Sequence, residues 1–359
     1  MKKTQALLPL FKTFIRESQT GKRRKKNGEK ITQGTINNYT YVYRNLTRYA
    51  HEKNLELRIC DATRLTHREY ISEKNYWKKF YIGFTKYLYS NGCHDNYVGN
   101  NIKIIRSLFN FLKREKNINT GSFHTSFYVR KESIAILVLS PEQLKYMIHD
   151  TQFHERLTRG EKKIKDMFLF GCTTGLRFSD LMLLTSKNFE KIESDWYLKI
   201  RSKKTKSFSS MKLPSYATSI FLDFKKNHAG TSIFPKISLF NFNKTLKRIG
   251  EKAGFVNPVD ANREILGKLN KQASNKKQPR FCDKMSSHMM RRTAITTMLI
   301  LGMPEHLVRV VSGHSMGSNS FQRYVHYARA YTNTELDKVY EQLNEYVACL
   351  LYTSPSPRD

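Results

Sequence analysis

Carboxylates are scarce in this 359-residue chain: 30 Asp and Glu stand against 63 Lys and Arg, a formal net charge of +33. That shortage excludes a charge-balanced surface. The excess runs along the whole chain and suits a polyanionic partner, because each phosphate neutralised releases counterions. An anionic membrane surface is the other partner such a charge would suit. A spanning helix is excluded, since no run of about 18 apolar residues occurs, and no signal-peptide pattern opens the chain. Cysteine is sparse too. Cys60, Cys93, Cys172, Cys282 and Cys349 make an odd count with no C-x-x-C pair. This argues against a disulfide framework and fits buried thiols in a reducing cytoplasm. Cys172, at the end of "KDMFLFGC", reads as a core thiol and not a nucleophile. No internal repeat and no metal-type carboxylate cluster is apparent, so no metal and no cofactor is expected. What is plentiful is aromatic: 22 Phe and 20 Tyr within a 39% hydrophobic chain, enough to build packed cores.

Periodicity gives a mostly α fold with a small β-sheet, in two domains. About four amphipathic helices are expected before residue 118, in "LLPLFKTFIRES", "TINNYTYVYRNLTRYAHEK", "THREYISEKNYWKKFYIGFTKYLYSNG" and "HDNYVGNNIKIIRSLFNFLKREKN". Residues 119–138 contain "SFHTSFYVRKESIAILV", which reads as an extended, β-rich linker. A second domain over 139–348 opens with Ser140 as helix cap and Pro141 at the first position. It continues as helix, glycine turn and helix through "TTGLRFSDLMLL". Next comes a hairpin in "DWYLKIRSKKTKSFSSMKLP", where Trp196, Leu198 and Ile200 alternate. The Lys- and Asn-rich stretch after Pro258 suggests a short hairpin or a segment that orders on a partner. Three helices follow, punctuated by Gly302 and Gly313. The final "CLLYTSPSPRD", 349–359, resembles one reading frame of a transposon-based sequencing adapter and is set aside from the fold.

Three stretches carry residues suited to chemistry. In "SSHMMRRT", His288, Arg291 and Arg292 lie three and four residues apart and share a helix face, with Ser286 and Ser287 as candidate caps. In "TTGLRFSDL", Arg177 follows a glycine turn, and taken alone it reads first as a plain surface pair with Asp180. In "SGHSMGSNSFQRY", His314 at a Gly-His turn precedes Tyr324 by ten residues. Taken singly, each has an ordinary structural reading.

Their order, with a basic hairpin between the first arginine and the histidine cluster, resembles the catalytic domain of tyrosine recombinases. This is the family of phage and transposon integrases and of Xer recombinases. The resemblance spans the chain to about Ala348, with the helical first part similar to the family's core-binding domain. Within the family it looks most like integrases of Bacteroides-type mobile elements. It implies that Arg177 and Arg291 are the two catalytic arginines, His288 and His314 the two histidines, and Tyr324 the nucleophile. It further implies a catalytic lysine from the hairpin. Lys204 matches best through "KKT"; Lys206 fits better counting back from "KLP", and Lys203 is third. The His314 to Tyr324 span is one residue longer than the family's commonest spacing, which keeps Tyr327 as a second nucleophile candidate.

Such a set suits phosphodiester chemistry. Arginine forks bind non-bridging oxygens and neutralise charge that builds in the transition state, without ever losing their protons. A tyrosine, with an ordinary pKa of about 10, must lose its proton to attack. His288 would accept or relay that proton, His314 would hydrogen-bond the phosphate, and the lysine would protonate the leaving 5′ oxygen. The implied protein is a site-specific recombinase forming a 3′-phosphotyrosyl link to double-stranded DNA. It would act as four protomers on two sites, with accessory DNA-bending proteins as further candidates, in a bacterial cytoplasm and on the nucleoid. The two domains would clamp the duplex. A type IB topoisomerase and a non-catalytic DNA-binding protein are the competing readings.

Further DNA contacts are expected from the run Lys22, Arg23, Arg24, Lys25 and Lys26, and from the helices near 35–49 and 96–113. Arg292, one residue past Arg291, points about 100° further round the helix. It is expected on flanking backbone or on an acid such as Asp180.

Overall fold

The computed structural model describes residues 4–201, 208–227, 230–260, 263–269 and 278–352. The chain divides into two compact units, 1–134 with 262–276, and 135–261 with 277–359.

The first unit begins with strand β1 (Thr4–Ala6) and helix α1 (Leu7–Thr20), which buries Leu7, Phe11, Phe14 and Ser18 along one face. Gly21, at φ 81°, ends it, in the left-handed conformation glycine adopts without steric cost. Helix α2 (Gln33–Glu52) follows, then β2 (Arg58–Cys60), antiparallel to β1. Helix α3 (His67–Ser90) starts at a reciprocal Thr66–Glu69 cap, and α4 (Asp95–Glu115) is buried along Val98, Ile102, Ile105, Leu108 and Leu112. Trp77 and Phe84 of α3, Phe109 of α4 and Phe127 fill the core between them.

The segment read as β-rich forms no strand. Its residues make a short 3-10 turn (Phe123–Ser126) and then run extended. Gly99 explains why: a Cβ there would lie 2.0 Å from the Arg130 carbonyl oxygen. The extended backbone is laid directly on α4, and packing replaces strand pairing.

In the second unit α5 (Pro141–His149) has Ser140 and Gln143 as a capping box with Pro141 in the first turn. Helix α6 (Thr151–Glu155) leads to α7 (Arg159–Thr174), which ends at Gly175 with φ 66°, and then to α8 (Phe178–Leu181). Strands β3 (Phe189–Ile192), β4 (Asp195–Arg201) and β5 (Phe208–Lys212) form one antiparallel sheet in that order. Leu198 and Ile200 are buried, and Leu198 pairs with Met211. Helices α9 (Ser215–Asn227) and α10 (Leu239–Lys252) cover the core.

A two-stranded hairpin, β6 (Glu264–Ile265) and β7 (Lys268–Leu269), then groups with the first unit. Two acids hold it. Glu132 accepts from the Arg263 guanidinium and the Glu264 amide, and Asp95 accepts from the Leu266 and Gly267 amides. The Arg263 bonds hold the Glu132 carboxyl down at about 2.

The chain closes with α11 (Phe281–Lys284), α12 (Ser287–Ile300), α13 (Glu305–Ser312) and α14 (Asn319–Tyr352). Gly313, at φ 61°, ends α13. Among the described residues no helix is long and apolar enough to cross a membrane.

Candidate active site

Helices α7 and α12 approach unusually closely. A Cβ on Gly171 would stand 2.4 Å from the Met290 sulfur, so the small residue brings α12 down onto α7. This sets Arg291 beside the end of α7. Its Nη1 donates to the Gly175 carbonyl at 3.0 Å, and its Nη2 donates to the Ser312 carbonyl at the end of α13. Two of the guanidinium's five N–H groups thus tie down helix C-termini, where carbonyls lack helical partners. Arg291 is 5% exposed. Burial, then Arg177, pulls its pKa down to about 10, while Tyr324 and Asp180 oppose the fall. It remains charged at neutral pH.

Arg177 occupies the cap position of α8, with one guanidinium nitrogen 3.8 Å from Asp180. The plain pairing considered from sequence therefore exists, alongside the cluster, because Arg177 also acts on Arg291 and His314. Gly313 turns the chain so that the His314 amide donates to the Arg309 carbonyl, and the imidazole packs over Phe321 and Tyr324 at 5.4 and 6.0 Å. Burial first, then Arg291, Arg177 and Arg309, depresses its pKa to about 4. The ring is neutral at neutral pH.

Tyr324, on α14, is buried in a small apolar cluster with Ile295, Val308, Phe321 and Val325. Tyr327 lies a turn further on, and burial raises its pKa. His288 stands exposed on the first turn of α12. The N-terminus of that helix is capped by Asn243 of α10, whose side-chain oxygen accepts from the Ser287 amide at 2.8 Å. The expected Ser286 cap makes no side-chain bond.

Of the two settings expected for Arg292, the acid Asp180 is not the one found beside it. Arg292 is half-buried and lies in the fields of Tyr324 and Arg323, while Asp180 sits by Arg177. Lys203, Lys204 and Lys206 all lie outside the described residues, between Arg201 of β4 and Phe208 of β5; β5 itself lies against α13.

Two contributors were missed in the sequence. Arg309 is buried with its guanidinium 3.9 Å over the Phe321 ring, and it donates to the Ser315 carbonyl at 3.1 Å, bracing the Gly313 turn. It also pairs with Glu305 one turn earlier, at 3.9 Å. Ser312 is the other, with its hydroxyl 2.8 Å from His314 Nδ1.

The basic run is mixed in role. Arg23 is packed over Phe14 at 4.3 Å and donates to Ser18 and Tyr39, so its guanidinium is engaged within the fold. Lys22, Arg24, Lys25 and Lys26 are exposed, and Lys25 pairs with Glu29. The run and α4 enclose a groove of about 350 Å³ that also presents Asn110 and Arg114. The two helices expected to meet DNA are neighbours: Asn45 of α2 donates to Tyr97 and Asn101 of α4.

The site, then, gathers a set of fixed cations around one buried phenol, a constellation for binding an oxyanion beside a nucleophile. Like charges held together in a partly buried site repel one another. An anion in the site would relieve that repulsion.

The sequence profile of the phage integrase family matches residues 138–330. No curated protein sequence matches the chain closely enough to count as a relative. Among solved structures, a lambda integrase dimer bound to a COC′ core site is similar at 12% identity and TM-score 0.59, over 90% of this chain and 77% of that one. XerH recombinase on a palindromic difH substrate, a post-cleavage complex, is similar at 15% identity and TM-score 0.60, over 89% and 91%. The Tn1549 transposon integrase with transposon right-end DNA is similar at 15% identity and TM-score 0.57, over 92% and 99%.

Proposed function

The chain belongs to the phage integrase family of site-specific tyrosine recombinases, and from that premise we propose that Tyr324 attacks a DNA phosphodiester gripped by Arg177, Arg291 and His314. The observation that carries the assignment is the convergence on Tyr324. The arginine tied between the ends of α7 and α13 and the His314 ring both adjoin that phenol, and Arg177 acts on each of the two.

In the step proposed, the Tyr324 oxygen bonds to phosphorus and the P–O5′ bond breaks. The Tyr324 proton passes to His288 or water. A lysine of the 203–206 stretch, Lys204 first and Lys206 its rival, protonates the departing 5′ oxygen. The products are a 3′-phosphotyrosyl link and a 5′ hydroxyl. Attack by a 5′ hydroxyl reverses the step, and no ATP is needed because the phosphodiester energy stays in the enzyme link. Arg177 and Arg291 stabilise the charge building on the non-bridging oxygens.

Double-stranded DNA is the substrate. Lys22, Arg24, Lys25 and Lys26 contact its backbone in this reading, α2 and α4 approach its bases, and Arg292 supports the site from beside Tyr324. Four protomers assemble on two sites, with the far half of α14 as the joining element. Leu336, Val339, Tyr340 and Leu343 make an exposed apolar stripe at helical spacing on it. The narrower likeness to Bacteroides-type mobile-element integrases rests on the motif wording "TTGLRFSDL", "SSHMMRRT" and "SGHS".

A suicide DNA substrate tests the assignment. Wild-type protein should be trapped covalently and Tyr324→Phe should not. Arg291→Lys should slow trapping about 100-fold or more, the effect of losing a fixed transition-state donor, with DNA affinity nearly unchanged. Trapping that survives in Tyr324→Phe and disappears in Tyr327→Phe would move the nucleophile one turn along α14. No trapping by wild type on a cognate site would leave a DNA-binding protein without this chemistry.

A further inference from the structure

Ser312 ends α13 with its side chain 4% exposed. The hydroxyl oxygen lies 2.8 Å from His314 Nδ1 and 2.6 Å from the Val308 carbonyl. It has one proton and a third acceptor in reach, the Arg309 carbonyl at 3.4 Å, which already accepts from the His314 amide. In an α-helix the Val308 carbonyl is already the acceptor of the Ser312 amide, so turning the hydroxyl away leaves that carbonyl bonded.

The other side of Nδ1 decides the matter. Arg291 Nη2 stands 3.5 Å away and can only donate. A proton on Nδ1 would face a cationic N–H, whereas a bare Nδ1 meets two donors. Arg177 and Arg309 add to the positive field at the ring, and Phe321 and Tyr324 pack against it at 5.4 and 6.0 Å. A neutral imidazole has a single proton, and its position determines what Nε2 can do. To bind a phosphate oxygen, Nε2 must carry it.

We propose that Ser312 is a positioning residue that donates its hydroxyl proton to His314 Nδ1, holding the imidazole as the Nε2–H tautomer that donates to the scissile phosphate. This rests on the assignment of His314 to that phosphate. Ser312 takes no part in bond making; it acts through the ring, and Arg291 at its longer distance gives weaker support.

Two measurements on the full chain test it. The first is the nitrogen spectrum of histidine-labelled wild-type protein at neutral pH, with the His314 signal identified by its loss in His314→Ala. The expected result is a bare Nδ1 and a protonated Nε2; the opposite tautomer overturns the proposal without any variant. The second is single-turnover cleavage of the suicide substrate at saturating DNA. Ser312→Ala should cleave roughly tenfold more slowly, the loss of one hydrogen bond, with unchanged DNA affinity. Ser312→Thr, which keeps the hydroxyl, should recover most of the rate. Wild-type cleavage by Ser312→Ala, or failure of Ser312→Thr to recover while melting normally, overturns the role. The His314→Ala variant separates the two levels: if it cleaves at the wild-type rate, the phosphate assignment is wrong, whereas a slow His314→Ala beside a fast Ser312→Ala removes only Ser312.

Discussion

At the scale of residues, the site depends on groups held in one protonation state by their surroundings. His314 has the plainest consequence. Its folded pKa of about 4 lies below the ordinary 6.5. Between those values the unfolded chain binds a proton that the folded chain refuses. The stability this contributes is complete above about pH 6.5 and drains away as pH falls toward 4. Thermal melting of the DNA-free protein should therefore drop more steeply on acidification for wild type than for His314→Gln. Parallel curves would mean the ring is not desolvated as described. Cys172 is the opposite case: burial raises its thiol pKa well above the ordinary range, so it is an inert core group, as "KDMFLFGC" suggested. His314 and Arg291 could be picked out in the sequence from their motifs. Ser312 and Arg309 could not, because their roles depend on a turn at Gly313 that folds the chain back over the side chains preceding it.

At the scale of elements, local signals were read well and non-local ones poorly. Glycines 175, 302 and 313, the Ser140 box and the Trp196–Ile200 alternation each act within a few residues, and the elements they mark are present. The 119–138 stretch has strand-like composition, but a strand needs a ladder partner. Gly99 instead lets this backbone lie on a helix. The cap of α12 comes from Asn243, 44 positions earlier, and no local pattern marks it. For α14 the exposed stripe of Leu336, Val339, Tyr340 and Leu343 gives a clear expectation. Leu336→Glu with Leu343→Glu should leave cleavage of a single suicide site intact and weaken pairing of two sites. Burying each leucine is worth about 1.5–3 kcal/mol, so pairing should fall at least tenfold, read as loss of the two-duplex complex in sedimentation. A fall in melting temperature with pairing intact would place the stripe against its own chain.

At the scale of the whole molecule, the +33 charge makes salt the most revealing variable. Affinity for a cognate duplex should fall linearly on a log–log plot against salt concentration. Arg24→Ala and Lys26→Ala should each reduce the slope by about one, as for a single phosphate contact. Arg23→Ala should instead lower the melting temperature, since its guanidinium packs on Phe14 and Tyr39. An unchanged slope in the first two variants would remove the loop from the DNA surface. The double duty of Arg291 has a consequence at this scale as well. The charge proposed for cutting is positioned by carbonyls at the ends of α7 and α13, which meet only once the second unit has folded. A nascent or partly unfolded copy has the nucleophile but not its anion grip. On the proposed mechanism this works as a safety interlock: only a finished molecule can cut DNA, and a damaged one fails harmlessly.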